Sequence, residues 1–389
     1  MKFSYSFRAS LALVDRRCLM AVLLALGLTA CGGGGGGSTP APTPPPAPAP
    51  APDPDPDPDP APAVTLEEAT QQLIDNTVLP AIERFLVQAT AMNADSVSFC
   101  NEGPETIDAL QNRWKSLYQE WFTLANYVFG PLDDNIITPE YTFIDGLRLR
   151  GTDYTNTVRG EIAADIASAM ALDSDYFNGK TFQRVGLLAL EVALFETATG
   201  EQSPVIANIE AEYMAEPRKC EVLVGLSAQL LSRAQYVSDG WLVMHRNSDQ
   251  PYRDLFLAGE LDDGTEPAAQ IIISAQDHLE YLQSRQVASI GAQLSGHVWE
   301  ALGFMIDNLE ELLDGSADTT VSLFDVMTDN GESAAVDEVR ESIADIREAI
   351  QMRDVTMLEI RLGSLDGNFK REIADALDVE LGITFSDGD

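Results

Sequence analysis

One acid in this chain stands where acids are costly. Residues 183–195 read Gln-Arg-Val-Gly-Leu-Leu-Ala-Leu-Glu-Val-Ala-Leu-Phe, apolar on every helical face, the mark of a helix buried in a domain. Glu191 sits inside that run. A lone ionised carboxylate there must be protonated, paired with an arginine or bound to a cation. Two roles stay open: an ion pair that orders the core, or a functional carboxylate in a cleft. Arg184 and Gly186 join Glu191 as candidates for a ligand or metal site, and a glycine five residues before the acid lets another backbone approach closely.

The chain has three histidines. His297-Val298-Trp299-Glu300 places His297 and Glu300 on one face of a helix, a weak candidate metal pair that competes with a helix start or a satisfied contact. His245 and His278 have no partner at ligand spacing. The sequence contains no His-Glu-x-x-His, no Gly-x-Ser-x-Gly and no phosphate-binding glycine loop, which disfavours the common protease, hydrolase and nucleotide-binding classes. Asp173-x-Asp175 before Asn178-Gly179 is out of register for a calcium loop and reads as a solvated turn.

The elements that must position these groups are helices. From Val64 onward apolar spacing is helical nearly throughout. One helix opens at Leu66 and should kink at Pro80; a second, rich in Trp, runs from Pro104-Glu105 to a stop at Gly130-Pro131. Residues 131–157 read as a long irregular loop, a length that points to function. Further helices are expected over 158–172, 181–198, 202–214, 217–246, 266–295, 297–314, 333–352 and 354–379. The expected fold is all-α, two helical bundles in tandem over 64–200 and 201–389, with no short repeat period.

The N-terminus reads as an address. Lys2, Arg8, Arg16 and Arg17 precede an apolar core, Cys18 to Gly27, too short to span a bilayer. Residues 1–30 then form a lipoprotein signal ending at Leu28-Thr29-Ala30-Cys31, with Cys31 as the acylated (palmitate-type) new N-terminus; an ordinary secretory signal is the alternative. Gly32 after it implies export to the outer membrane of a Gram-negative cell, with the folded body in the periplasm. Residues 31–63 continue as a stalk. Six glycines are followed by thirteen of the chain's 21 prolines and four Asp-Pro pairs, an extended polyproline spacer.

With 24 Lys and Arg against 62 Asp and Glu the net charge is −38, which excludes nucleic acid as a partner and disfavours rest on anionic headgroups. Loss of residues 1–30 removes four basic groups and one acidic group and leaves a net of −41. It also removes Cys18, and with Cys31 acylated the pair Cys100 and Cys220 remains. In an oxidising compartment the two favour one disulfide closing a loop of about 120 residues; buried free thiols are the alternative.

Taken in order, the lipobox and stalk, Cys100, the Trp-rich helix ending in Phe129-Gly130-Pro131, Gly186-Leu-Leu-Ala-Leu-Glu191, Arg218-Lys219-Cys220 and the C-terminal Leu381-Gly382-Ile383-Thr384-Phe385 with Asp387-Gly388-Asp389 resemble the imelysin family over residues 64–389. The resemblance implies a two-domain helical-bundle fold in the bacterial envelope, often in iron-regulated contexts, and carries a metallopeptidase label. Its hallmark is Gly-x-His-x-x-Glu, whose His and Glu are the family's proposed metal ligands. Here the Gly is Gly186 and the Glu is Glu191, but Leu188 takes the His position, as in a branch without that His. Zinc suits imidazole, so the replacement argues against peptidase activity.

Three functions follow as expectations. The favoured one is a non-enzymatic envelope lipoprotein, anchored to the membrane through Cys31, that binds a small ligand or metal ion in iron acquisition, with Glu191 and the 131–157 loop contributing. A divalent metal or iron is the cofactor such a site would take. The others are a metallopeptidase and a structural module for an envelope protein partner.

Overall fold

In the computed structural model, residues 64–103, 105–135, 137–146, 153–197, 206–261 and 264–381 are described. The signal, Cys31, the stalk and residues 382–389 of the C-terminal motif lie outside the described residues. Contacts gather the described residues into one compact unit.

Thr65 opens the helical body by accepting the Glu68 N–H at 3.1 Å, which caps helix Leu66–Leu73. Pro80 cannot donate to the carbonyl four residues back and its ring crowds that position. The chain answers with a wider π turn, Ile74–Val78, in which Leu79 N–H bonds Ile74 O, and then runs on as helix Leu79–Cys100. The expected kink is therefore a bulge in a continuing helix.

Thr106 caps the Trp-rich helix Ile107–Leu124, which ends in a 3₁₀ turn, Ala125–Tyr127, well short of Gly130. Residues 131–157 are less irregular than expected, since they hold a short helix, Glu140–Ile144. Helices Thr155–Ala167 and Ser174–Asn178 follow, the second capped by the Asp173 side chain on the Tyr176 N–H at 3.0 Å. Asp173 thus caps a helix that holds Asp175, where the spacing had suggested a solvated turn.

The apolar run begins as helix only at Gly186, after a 3₁₀ turn, Phe182–Arg184, and ends at Phe195. Its residues are buried apart from Leu188, which is half-buried. Neighbouring side chains satisfy its backbone. Trp114 Nε1 donates to Leu187 O at 2.9 Å, Gln111 Nε2 to Leu194 O at 2.8 Å and Tyr213 OH to Ala193 O at 2.8 Å. The last two take carbonyls that a helix end leaves without an internal donor.

Helix Pro217–Leu242 lies against Leu79–Cys100 and against Gly186–Phe195, so the layer around the central helix takes in an element from beyond residue 200. The boundary expected at 200 falls outside the described residues. Cys100, the last residue of its helix, is joined to Cys220 in the first turn of Pro217–Leu242, with Cα atoms 5.5 Å apart.

The expected helix over 266–295 is broken. Pro267–Ser284 stops, Gln286 turns left-handed at φ 52°, and a four-residue helix, Val287–Ile290, precedes a loop to His297. Val287, Ile290 and Leu294, spaced i, i+3 and i+7, keep an apolar spacing that mimics a continuing helix. Helix Val298–Asp314 packs on Ile107–Leu124 and on Ser333–Met352, which pairs with Val355–Asn368. Helices Ile206–Ala215, Tyr252–Leu257, Leu323–Asp329 and, after a π turn over Phe369–Ile373, Ala374–Leu377 are also present. The described residues contain no strand, and none of their helices is long and apolar enough to cross a membrane. The fold is all-α.

Candidate functional site

Glu191 is 2% exposed, and a surface loop covers it. Its Oε1 accepts the Ser295 N–H at 2.9 Å. Burial pushes its pKa up to about 7, while the Ser295 N–H and hydroxyl and the Leu294 N–H pull the other way by favouring the charged form. The Ser295 hydroxyl itself bonds Ala292 O at 3.2 Å. The carboxylate is thus held by a loop, and the arginine pairing open to it from sequence is not made among the described residues. Arg184 pairs instead with Glu161 at 2.9 Å.

Gly186 brings a second carboxylate to this helix. It sits at φ 78°, and a Cβ there would stand 2.5 Å from Ile144 O and 2.6 Å from Phe143 O. Only a residue without a side chain lets the end of helix Glu140–Ile144 approach so closely. Asp145 follows directly, buried, with Oδ2 accepting from Trp121 Nε1 at 3.1 Å and from Tyr281 OH at 3.3 Å. Buried Tyr118 completes the group. Its pKa is raised well above the usual phenol range, first by burial and then by the fields of Asp145, Tyr281 and Glu191.

The loop that holds Glu191 also touches Tyr118: its OH lies 3.0 Å from where a Cβ on Gly291 would be. Glu191, Asp145, Tyr118 and Tyr281 therefore form one buried, acidic, phenol-rich group, closed over by residues 291–296. Sequence reasoning named Glu191, Gly186 and the loop that carries Asp145. It missed Tyr118, Tyr281 and Ser295, which only the tertiary fold brings in.

His297 and Glu300 meet at the start of their helix, and among the described residues no third His, Cys, Asp or Glu joins them in a metal-holding group. Their nearest atoms are 3.8 Å apart, and Glu300 bonds Arg353 at 2.6 Å. His297 Nε2 lies 2.9 Å from Gln119 Nε2, and burial pushes the imidazole's pKa down, with Glu300 opposing. The other two histidines have structural partners. His278 Nδ1 is 2.8 Å from Asn126 Oδ1, within a buried network that includes Tyr127 and Asn308. His245 meets Asp134 at 3.0 Å.

A zinc-type centre does not fit here. Such a centre uses at least three protein ligands, commonly including imidazole. Leu188 occupies the motif's His position, and no group of three or more His, Cys, Asp or Glu among the described residues is arranged to hold a metal ion.

The imelysin family model matches residues 78–380 of the chain. No curated protein matches it. Among solved structures, an imelysin-like protein from Psychrobacter arcticus 273-4 is similar at 16% identity and TM-score 0.59, over 82% of this chain and 99% of the other. A protein from Parabacteroides distasonis ATCC 8503, named for iron-regulated protein A, is similar at 16% identity and TM-score 0.52, over 80% and 94%.

Proposed function

The chain belongs to the imelysin family, and from that premise we propose that it is a non-enzymatic envelope lipoprotein that binds a ligand in iron acquisition, at the buried group around Glu191. The observation that carries this reading is the Ser295 N–H on Glu191 Oε1 at 2.9 Å. A metallopeptidase centre needs at least three protein ligands, and among the described residues no such set surrounds this acid, which meets a loop amide instead. The missing motif His, with Leu188 in its place, argues the same way.

What remains is a carboxylate that changes charge near neutral pH, with Asp145 and two phenols around it, under a surface loop whose displacement would admit a polar ligand. The similarity to a protein named as iron-regulated supports the iron context. Anchoring through Cys31 and a stalk over 32–63 would set the body in the periplasm, off the outer membrane.

Two measurements on the full-length protein test this. Metal analysis and a casein digest should show neither stoichiometric metal nor proteolysis; chelator-sensitive proteolysis abolished by Glu191→Ala would establish the peptidase instead. A deletion strain should grow poorly when iron is limiting, with rescue by wild type and not by Glu191→Ala. Equal growth without the gene would remove the iron role. Cys31→Ser should release the protein from the membrane fraction.

A further inference from the structure

A separate cavity of about 380 Å³ opens beside Phe129 and Gly130, and its lining includes no member of the Glu191 group. We propose that it binds a small zwitterion of the amino-acid class. Phe129 and Tyr252 give it an aromatic side, with ring centroids 6.5 Å apart. Gly130 makes that side possible: it lies at φ 58°, and a Cβ there would fall 2.3 Å from the Tyr252 ring.

His245 and Arg246 supply the basic groups. His245 is 8% exposed, and Asp134 accepts from its Nε2 at 3.0 Å, which fixes the ring and its proton. Arg246 Nη2 bonds Asp134 Oδ1 at 2.6 Å, and its side chain is 47% exposed. Asp134 also accepts from the Tyr236 hydroxyl. Its charge is therefore spent on positioning the two bases.

The same cavity is lined by two further carboxylates, Asp133 and Glu260. A simple anion entering it would meet both, and a simple cation would meet Arg246. A molecule carrying both charges satisfies each set, with its apolar part on the two rings. The volume falls in the usual range for small-molecule sites, roughly 300–1,000 Å³.

Titration calorimetry of the full-length protein with L-phenylalanine, phenylacetate and phenethylamine decides the matter. L-phenylalanine should bind saturably, and each analogue, lacking one charge, should bind about tenfold more weakly or worse. Arg246→Ala and Glu260→Gln, both at exposed positions, should keep the wild-type melting temperature and weaken L-phenylalanine by about tenfold. Glu191→Ala should leave this binding unchanged, which keeps the result apart from the reading of the Glu191 group. Either analogue binding as tightly as L-phenylalanine, or no saturation by L-phenylalanine or L-leucine, overturns the proposal.

Discussion

Glu191 and Ser295 are 104 residues apart in the chain, yet the amide of one is bonded to the carboxylate of the other at 2.9 Å. The contact ties the most apolar helix to a surface loop. It turns a costly burial into a held one, because the N–H directed at the carboxylate offsets part of the lost hydration.

This burial has a pH signature. In the fold Glu191 titrates at about 7, against an ordinary 4.5. The folded state therefore holds the proton more tightly than the unfolded chain. The stabilising effect is fully present below about 4.5 and is lost as pH rises through 7, a change on the order of 3 kcal/mol. Urea denaturation across pH 5 to 8.5 should show wild type losing stability relative to Glu191→Gln as pH rises. A constant difference between the two would mean that the carboxylate stays charged.

Gly186→Ala should be among the most damaging single changes. It forces a side chain into φ 78° and sets a methyl 2.5 Å from the Ile144 carbonyl. Backbone strain alone is about 1–3 kcal/mol, and neither backbone can retreat without moving Asp145. A lowered melting temperature together with altered near-ultraviolet dichroism from Trp121 is expected. Wild-type values for both would show that the two segments separate freely.

Removing the disulfide by Cys100→Ser with Cys220→Ser should cost up to about 4–5 kcal/mol on the chain-entropy account of a loop this long. The oxidised protein should resist alkylation unless reduced. Mass spectrometry reads the second outcome directly, and label uptake without reductant would show free thiols.

One substitution should stabilise. Gln229 is 0% exposed, and neither atom of its amide has a hydrogen-bond partner among the described residues. Gln229→Leu keeps nearly the same volume and removes that desolvation, with an expected gain of about 1–3 kcal/mol in denaturation experiments. A loss of stability would reveal a hidden partner, such as an internal water.

Local features were legible where they act locally. The apolar run announced a buried helix, Gly186 announced close approach, and the two remaining cysteines pointed to each other across 120 residues. The break at Gln286 was not legible, because Val287, Ile290 and Leu294 continue an apolar spacing that a helix would also use. Asp145, Tyr118 and Tyr281 join Glu191 only through packing between distant elements, and nothing in their spacing signals it. His245 looked solitary because its partner, Asp134, is 111 residues away. In each case a long-range contact, not a local preference, decided the outcome.

The bond between Cys100 and Cys220 makes a covalent ring of everything between them, and the whole of helix Gly186–Phe195 lies inside it. A protease that cuts once within that ring opens it without dividing the molecule. The two pieces stay linked until a reductant frees them. Where proteases are present, a nicked copy would keep its central helix attached to both halves, and a reducing gel would tell it from an intact one.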